Sequence, residues 1–194
     1  MTKWRDDLGT SAKRFIEIVW PEIGDWFGGE IELISAEGVD ADFHQILDRE
    51  AGIDFWAVEH DAGVLSIASR VQTYDYTTFT VRYSRPTGTD TEYQKRVRQL
   101  DSHHELPTYT VQAYVDADLG MLRNAAWCRT EDLIRYVSNG TPGDDWPIVT
   151  TYSGESFIPI EWGELDPLIE LHVHNRERAG LEPTGDTQHT EVVQ

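Results

Sequence analysis

A chain of 194 residues, 39% of them apolar and seven of them tryptophan, can bury a full core in one domain, and its one cysteine, Cys128, excludes an internal disulfide. No apolar run approaches the roughly 18 residues of a membrane span, and MTKWRDDLGTSAKRF lacks the apolar centre of a secretion signal, so the expectation is a cytoplasmic protein that does not enter membranes. The 35 acidic and 16 basic residues leave a charge of −19 with only three lysines (Lys3, Lys13, Lys95); this composition suits a halophilic archaeon or its virus, with an ordinary acidic bacterial protein as the alternative, and it repels nucleic acid at low salt but not once salt screens the charge.

Residues 1–38 read as an N-terminal helical segment packed on the core. Ser11 caps a helix carrying Phe15, Ile16, Ile18 and Val19, which Pro21 breaks or re-nucleates and Ile23, Trp26 and Phe27 continue to Gly28-Gly29. A short strand-like run, Glu30–Ile34, follows. In Val39–Glu50, Phe43, Ile46 and Leu47 make one apolar stripe that stops before Gly52, and Asp48 and Glu50 sit at the end of the helix where its dipole disfavours them.

Three β-branched and aromatic runs come next, Ile53–Val58, Val64–Val71 and Phe79–Tyr83, and read as a three-stranded meander. Glu59–Gly63 has the length and terminal glycine of a hairpin loop, so the first two runs should pair antiparallel. Asp54 and Arg70 lie just inside neighbouring strands, and Gln72, two residues beyond Arg70, shares its face. Thr89 or Asp90 caps a helix over Thr91–Ser102 whose polar side gathers Lys95, Arg96 and Arg98. Tyr109–Val115 and Met121–Cys128 read as two further strands joined by Asp116–Gly120, and Gln112 can face the end of the sheet that carries Arg70. A helix over Asp132–Val137 ends at Asn139-Gly140. A Pro/Gly-punctuated loop with one apolar run, Ser156–Ile160, leads to a final helix over Leu165–Arg178, and residues 179–194 read as a disordered polar tail.

The expected fold is α/β, a central mixed sheet of about five strands flanked by helices over residues 39–178. The order helix, three strands, helix, strand, with Gly52-Ile53-Asp54 opening one strand and Ala68-Ser69-Arg70 in the next, resembles the restriction-endonuclease-like core of the PD-(D/E)xK nuclease superfamily. The series GID…IASRVQ…FTVR…TEY…YTVQAYV is also similar to uncharacterised proteins of actinobacterial, phage and haloarchaeal genomes. The superfamily resemblance implies a DNA phosphodiester as substrate and Mg²⁺ or Mn²⁺ as cofactor, held by Asp54 and a second acid, with a basic residue beside the attacking water. Two positions depart from the pattern: Ala68 stands where the second acid belongs and Arg70 where the lysine belongs, and arginine cannot accept a proton. A helix acid, Asp48, Glu50 or Glu92, must then complete the metal site, with Arg70 steadying the phosphate, Gln72 positioning water, and Arg82, Lys95, Arg96 and Arg98 contacting the DNA.

The alternative is a degenerate relative that keeps the sheet and its arginines as a binding protein without hydrolysis, in which Arg70 and Arg82 form an ionic network with Asp54 and Glu92. His103-His104 and His172-x-His174 admit zinc as a second metal, and Cys128 lies in a core strand without a spaced partner base.

Overall fold

The computed structural model describes residues 10–27, 31–36, 52–59, 63–102 and 106–182. The expected helix over 39–50, with Asp48 and Glu50, lies outside these residues, as do His103, His104 and residues 183–194. Residues 10–27 (α1) are helical, with a π-helical stretch at Phe15–Val19 just before Pro21, which sits in the first turn of the next helical piece. A wider turn there absorbs the hydrogen bond that proline cannot donate, so the apolar stripe runs on to Phe27.

The strands are β1 (Ile31–Ser35), β2 (Phe55–Glu59), β3 (Gly63–Gln72), β4 (Thr78–Ser84), β5 (Tyr109–Asp116), β6 (Met121–Arg129), β7 (Val149–Thr150), β8 (Ser156–Glu161) and β9 (Leu171–Val173). The remaining helices are α2 (Glu92–Ser102), α3 (Thr130–Ser138) and α4 (Trp162–Leu165). The fold is α/β: a six-stranded mixed sheet, ordered β1-β2-β3-β5-β6-β9, faces a three-stranded sheet ordered β4-β8-β7. In the large sheet only β3 and β5 are parallel, and they place Arg70 beside Gln112.

The β2–β3 hairpin forms in the expected antiparallel sense, with Phe55 opposite Ile67. The third run does not complete a meander; β4 pairs instead with β8 in the second sheet. The reason lies in β5. Val111 through Val115 are all buried, so this strand needs a position covered on both faces and takes the edge of β3. In β4, by contrast, Phe79 and Val81 are buried while Thr80 and Arg82 alternate with them on the other face.

Two further expectations are corrected. Ser156–Ile160 is a strand, and its Pro159 is tolerated because β7 pairs only with Ser156 and Phe157, leaving Pro159 without a ladder partner on that side. Leu165–Arg178 is not a helix: α4 ends at Leu165 ahead of Pro167, and Leu171 and Val173 alternate inward as β9 against Ala126 and Cys128. Ala179 and Leu181 pack on the core at the margin of the expected tail.

Each face of the large sheet carries its own core. On one, Phe15, Val19 and Ile23 of α1 cover Phe55, Ile67, Val71, Val111 and Trp127, with Phe15 stacked on Phe55 at 4.6 Å between ring centroids. On the other, Tyr114, Ala126 and Cys128 meet the second sheet, α3 and α4 through Phe79, Val81, Leu133, Ile158, Ile160 and Trp162. The polar residues of that second face collect where the core gives out, beside Arg70.

Candidate anion-binding site

Arg70 is carried to this margin by β3 and is neutralised by α2. Its Nη2 donates to Glu92 Oε2 at 2.8 Å, and its Nη1 donates to Thr80 Oγ1 at 3.3 Å. Glu92 opens α2, so its carboxylate also sits at the positive end of the helix dipole. The Arg82 backbone N–H donates to the same Oε2 at 3.5 Å, and Arg96 Nε, one turn along the helix, lies 3.5 Å from Oε1. Both oxygens of Glu92 therefore face guanidiniums.

The second sheet and its flanks join Arg82 to three residues that the sequence reading missed, Arg85, Glu155 and Phe157. Arg82 and Arg85 converge on Glu155, with Nε atoms 3.4 and 4.0 Å from its Oε1, and the Phe157 ring lies under Arg70 and Arg82 at 5.3 and 5.5 Å from the two guanidinium carbons. Register sets this up, since Arg82 and Phe157 are direct partners across β4 and β8 and their side chains share a face. A polar chain continues inward: Thr80 Oγ1 donates to Gln112 Oε1 at 3.1 Å, and Gln112 Nε2 to Gln72 Oε1 at 3.5 Å. Gln72 thus reaches the cluster through Gln112.

Four guanidiniums and two carboxylates make up this cluster, in a chain of charge −19. Arg70, Arg82 and Arg85 keep side-chain exposures of 23, 27 and 35%, so solvent reaches them, while Arg96 at 4% belongs to the interior. Burial, and after it the like charge of Arg70, holds the Arg82 pKa below the ordinary arginine value. Burial works against the Glu92 carboxylate, but Arg70 and Arg96 outweigh it and hold the pKa below the usual glutamate value. Arg82 Nε and Arg85 Nε are buried and make no hydrogen bond of good geometry. An anion placed over Phe157 would relieve the crowding of positive charge at Arg70 and Arg82.

Asp54 immediately precedes β2, the neighbouring strand of the same sheet. Its Oδ2 accepts the Ser69 backbone N–H at 2.6 Å, and its charge reaches Arg96, which also feels Glu92. Arg96 Nη2 also donates to the Gly52 carbonyl at 3.4 Å. Arg96 thus links Glu92 to the segment that carries Asp54. Of the other cationic residues expected at a ligand surface, Lys95 is half-buried and Arg98 is exposed and paired with Asp90.

Among the described residues no three His, Cys, Asp or Glu side chains are grouped to hold a metal ion. His172 stacks on Trp127 at 5.5 Å. The Cys128 thiol is buried, and burial with Asp132 nearby pushes its pKa up, which leaves it inert as a nucleophile. A cavity of about 300 Å³ between α2 and α3 is lined by Gln99, Leu100, Thr108, Arg129, Glu131 and Arg135 among others, and shares no residue with the arginine cluster. No helix of the described residues is long and apolar enough to cross a membrane.

The chain matches no known protein family, no curated protein and no solved structure.

Proposed function

We propose that this chain is a binding protein for phosphate-bearing nucleic acid, DNA first, and that it does not hydrolyse its ligand. One observation carries the reading: Arg70 and Arg82 lie over Phe157 on a solvent-reached face, and Arg85 joins Arg82 at Glu155, so that three guanidiniums stand against the acids Glu92 and Glu155. Guanidiniums held in place by carboxylates and an aromatic ring offer phosphate a preorganised fork at low entropic cost. Thr80 Oγ1 and the Gln72–Gln112 amides add hydroxyl and amide groups beside them.

The same observation weighs against Mg²⁺ or Mn²⁺ at Glu92. A divalent cation needs free, negatively charged oxygens, and both oxygens of this carboxylate are turned to arginine. Metal-dependent DNA hydrolysis is the second reading, favoured by the gathering of Asp54 and Glu92 around Arg96. Its ion would have to draw on acids beyond the described residues, such as Asp48.

The test is fluorescence anisotropy of labelled oligonucleotide and duplex DNA over a KCl series, for the native chain and Arg82→Ala. Binding that weakens with salt, and a variant whose salt slope is smaller by about one, supports the proposal. Manganese-dependent cleavage of plasmid that disappears in Asp54→Ala would replace it with the hydrolytic reading.

A further inference from the structure

The connection from β3 to β4 carries two tyrosines that the arginine cluster does not use. Tyr74 and Tyr76 are 67 and 57% exposed, their ring centroids 6.0 Å apart and their planes inclined by 38°. Large aromatic rings left this open beside a packed core are costly to keep in water unless something covers them. We infer that Tyr74 and Tyr76 form a stacking platform for unpaired bases, so that the nucleic acid bound at Arg70, Arg82 and Arg85 is single-stranded. This inference rests on the phosphate-binding reading above and names its substrate class.

Three observations favour bases as the occupant. The platform is braced from behind: Asp75, between the tyrosines, is paired with Arg178 and lies 3.9 Å from Arg123, which in turn binds Asp116 at 2.6 Å. Tyr76 rests edge-on against Tyr114, centroids 6.1 Å apart, and the Tyr114 hydroxyl donates to the Thr78 carbonyl at 2.8 Å. Tyr76, held in this way and in ring contact with Tyr74, loses little freedom when a planar group settles on it. The platform is also close to the phosphate-binding arginines. Arg70 and Thr80 join the two limbs of the connection by their 3.3 Å hydrogen bond, and Tyr74 is four residues from Arg70, a span of about 14 Å at most. A strand of a few nucleotides covers both, its phosphates on guanidinium and its bases on tyrosine. A duplex keeps its bases stacked on one another and has none to offer.

The experiment compares labelled oligo-dT of about fifteen nucleotides with a duplex of equal length, by anisotropy in the same buffer, for the native chain, the double variants Y74A/Y76A and Y74F/Y76F, and Arg82→Ala. The native chain should prefer oligo-dT. Y74A/Y76A should lose about tenfold or more of that affinity while duplex binding stays unchanged, Y74F/Y76F should retain it, and Arg82→Ala should weaken both ligands. Equal affinity for the two DNA forms, or oligo-dT binding unchanged in Y74A/Y76A, overturns the platform and leaves the phosphate site standing. Absence of binding to either DNA overturns both proposals. Circular dichroism of each variant separates a lost contact from a lost fold, and Tyr74→Ala alone, at the more exposed ring that does not pack on Tyr114, should still weaken oligo-dT binding where the alanine pair does not fold; unchanged binding in it overturns the platform.

Discussion

Glu92 is the residue on which the arginine cluster turns. Replacing it with glutamine leaves Arg70 and Arg96 facing one another without a counter-charge, and breaking a buried pair in this way costs about 3–5 kcal/mol, less where solvent reaches one side as it does here. Glu92→Gln should therefore lower stability by about 2–3 kcal/mol, seen as a drop of roughly 4–12 °C in Tm. The pH dependence has a definite sign. The folded-state pKa of Glu92 lies below the ordinary glutamate value of 4.5, so the stabilisation is complete above that pH and is lost as pH falls from there through the folded value. Acid titration of the native chain, followed by circular dichroism, should show a loss of stability in that window that Glu92→Gln lacks. Gly140 is a second sensitive position. A Cβ there would come within 2.7 Å of Trp146 Cε2, and this indole packs on Tyr136 and donates to the Val137 carbonyl at 2.8 Å. Gly140→Ala should cost about 1–3 kcal/mol in chemical denaturation, because the ring must leave its place. Strand periodicity made Arg70 and Gln72 legible as residues on one face of β3. It did not reveal Arg85, just beyond the end of β4, nor Glu155 and Phe157, which arrive with β8 more than seventy residues after Arg82 through a pairing that leaves no local trace.

Among the elements, those read well have a period that matches their burial. Glu92–Ser102 and Thr130–Ser138 were legible as helices, and Tyr109–Asp116 and Met121–Arg129 as a hairpin. The misread elements carry competing signals: Pro159 argues against the strand it occupies, and the Asp166-Pro167 pair imitates a helix start where a helix ends. β9 is too short at three residues to show a period, and the reason it docks lies on β6. Asn124, 1% exposed, accepts the Asn175 backbone N–H at 3.1 Å and donates from Nδ2 to the Asn175 carbonyl at 3.2 Å, tying the segment after β9 to the sheet. Asn124→Ala strands both backbone groups. A loss of about 2–3 kcal/mol is expected, together with faster amide exchange in residues 171–182 than elsewhere in the sheet, measured by hydrogen exchange.

For the molecule as a whole, a charge of −19 on 194 residues sets self-repulsion against a core split over two faces of one sheet. Screening removes much of that repulsion beyond a Debye length, which shortens from about 10 Å at 0.1 M to about 3 Å at 1 M. Tm should accordingly rise between 0.1 and 2 M KCl, while phosphate binding weakens over the same range. The opposed trends are measurable in one titration series.

The departure of β4 from the large sheet orders events in time. Its partner β8 begins at Ser156, so a nascent chain leaving the ribosome has made β3, α2 and β5 long before the wall carrying Phe157 and Glu155 exists. Until then β4 presents an unpaired ladder of amides and carbonyls, a template for another chain. A truncation before residue 150 should accordingly keep the β2–β3 hairpin sequence yet aggregate on synthesis, and the face that joins Arg82 to Glu155 and Phe157 is completed only once β8 is made.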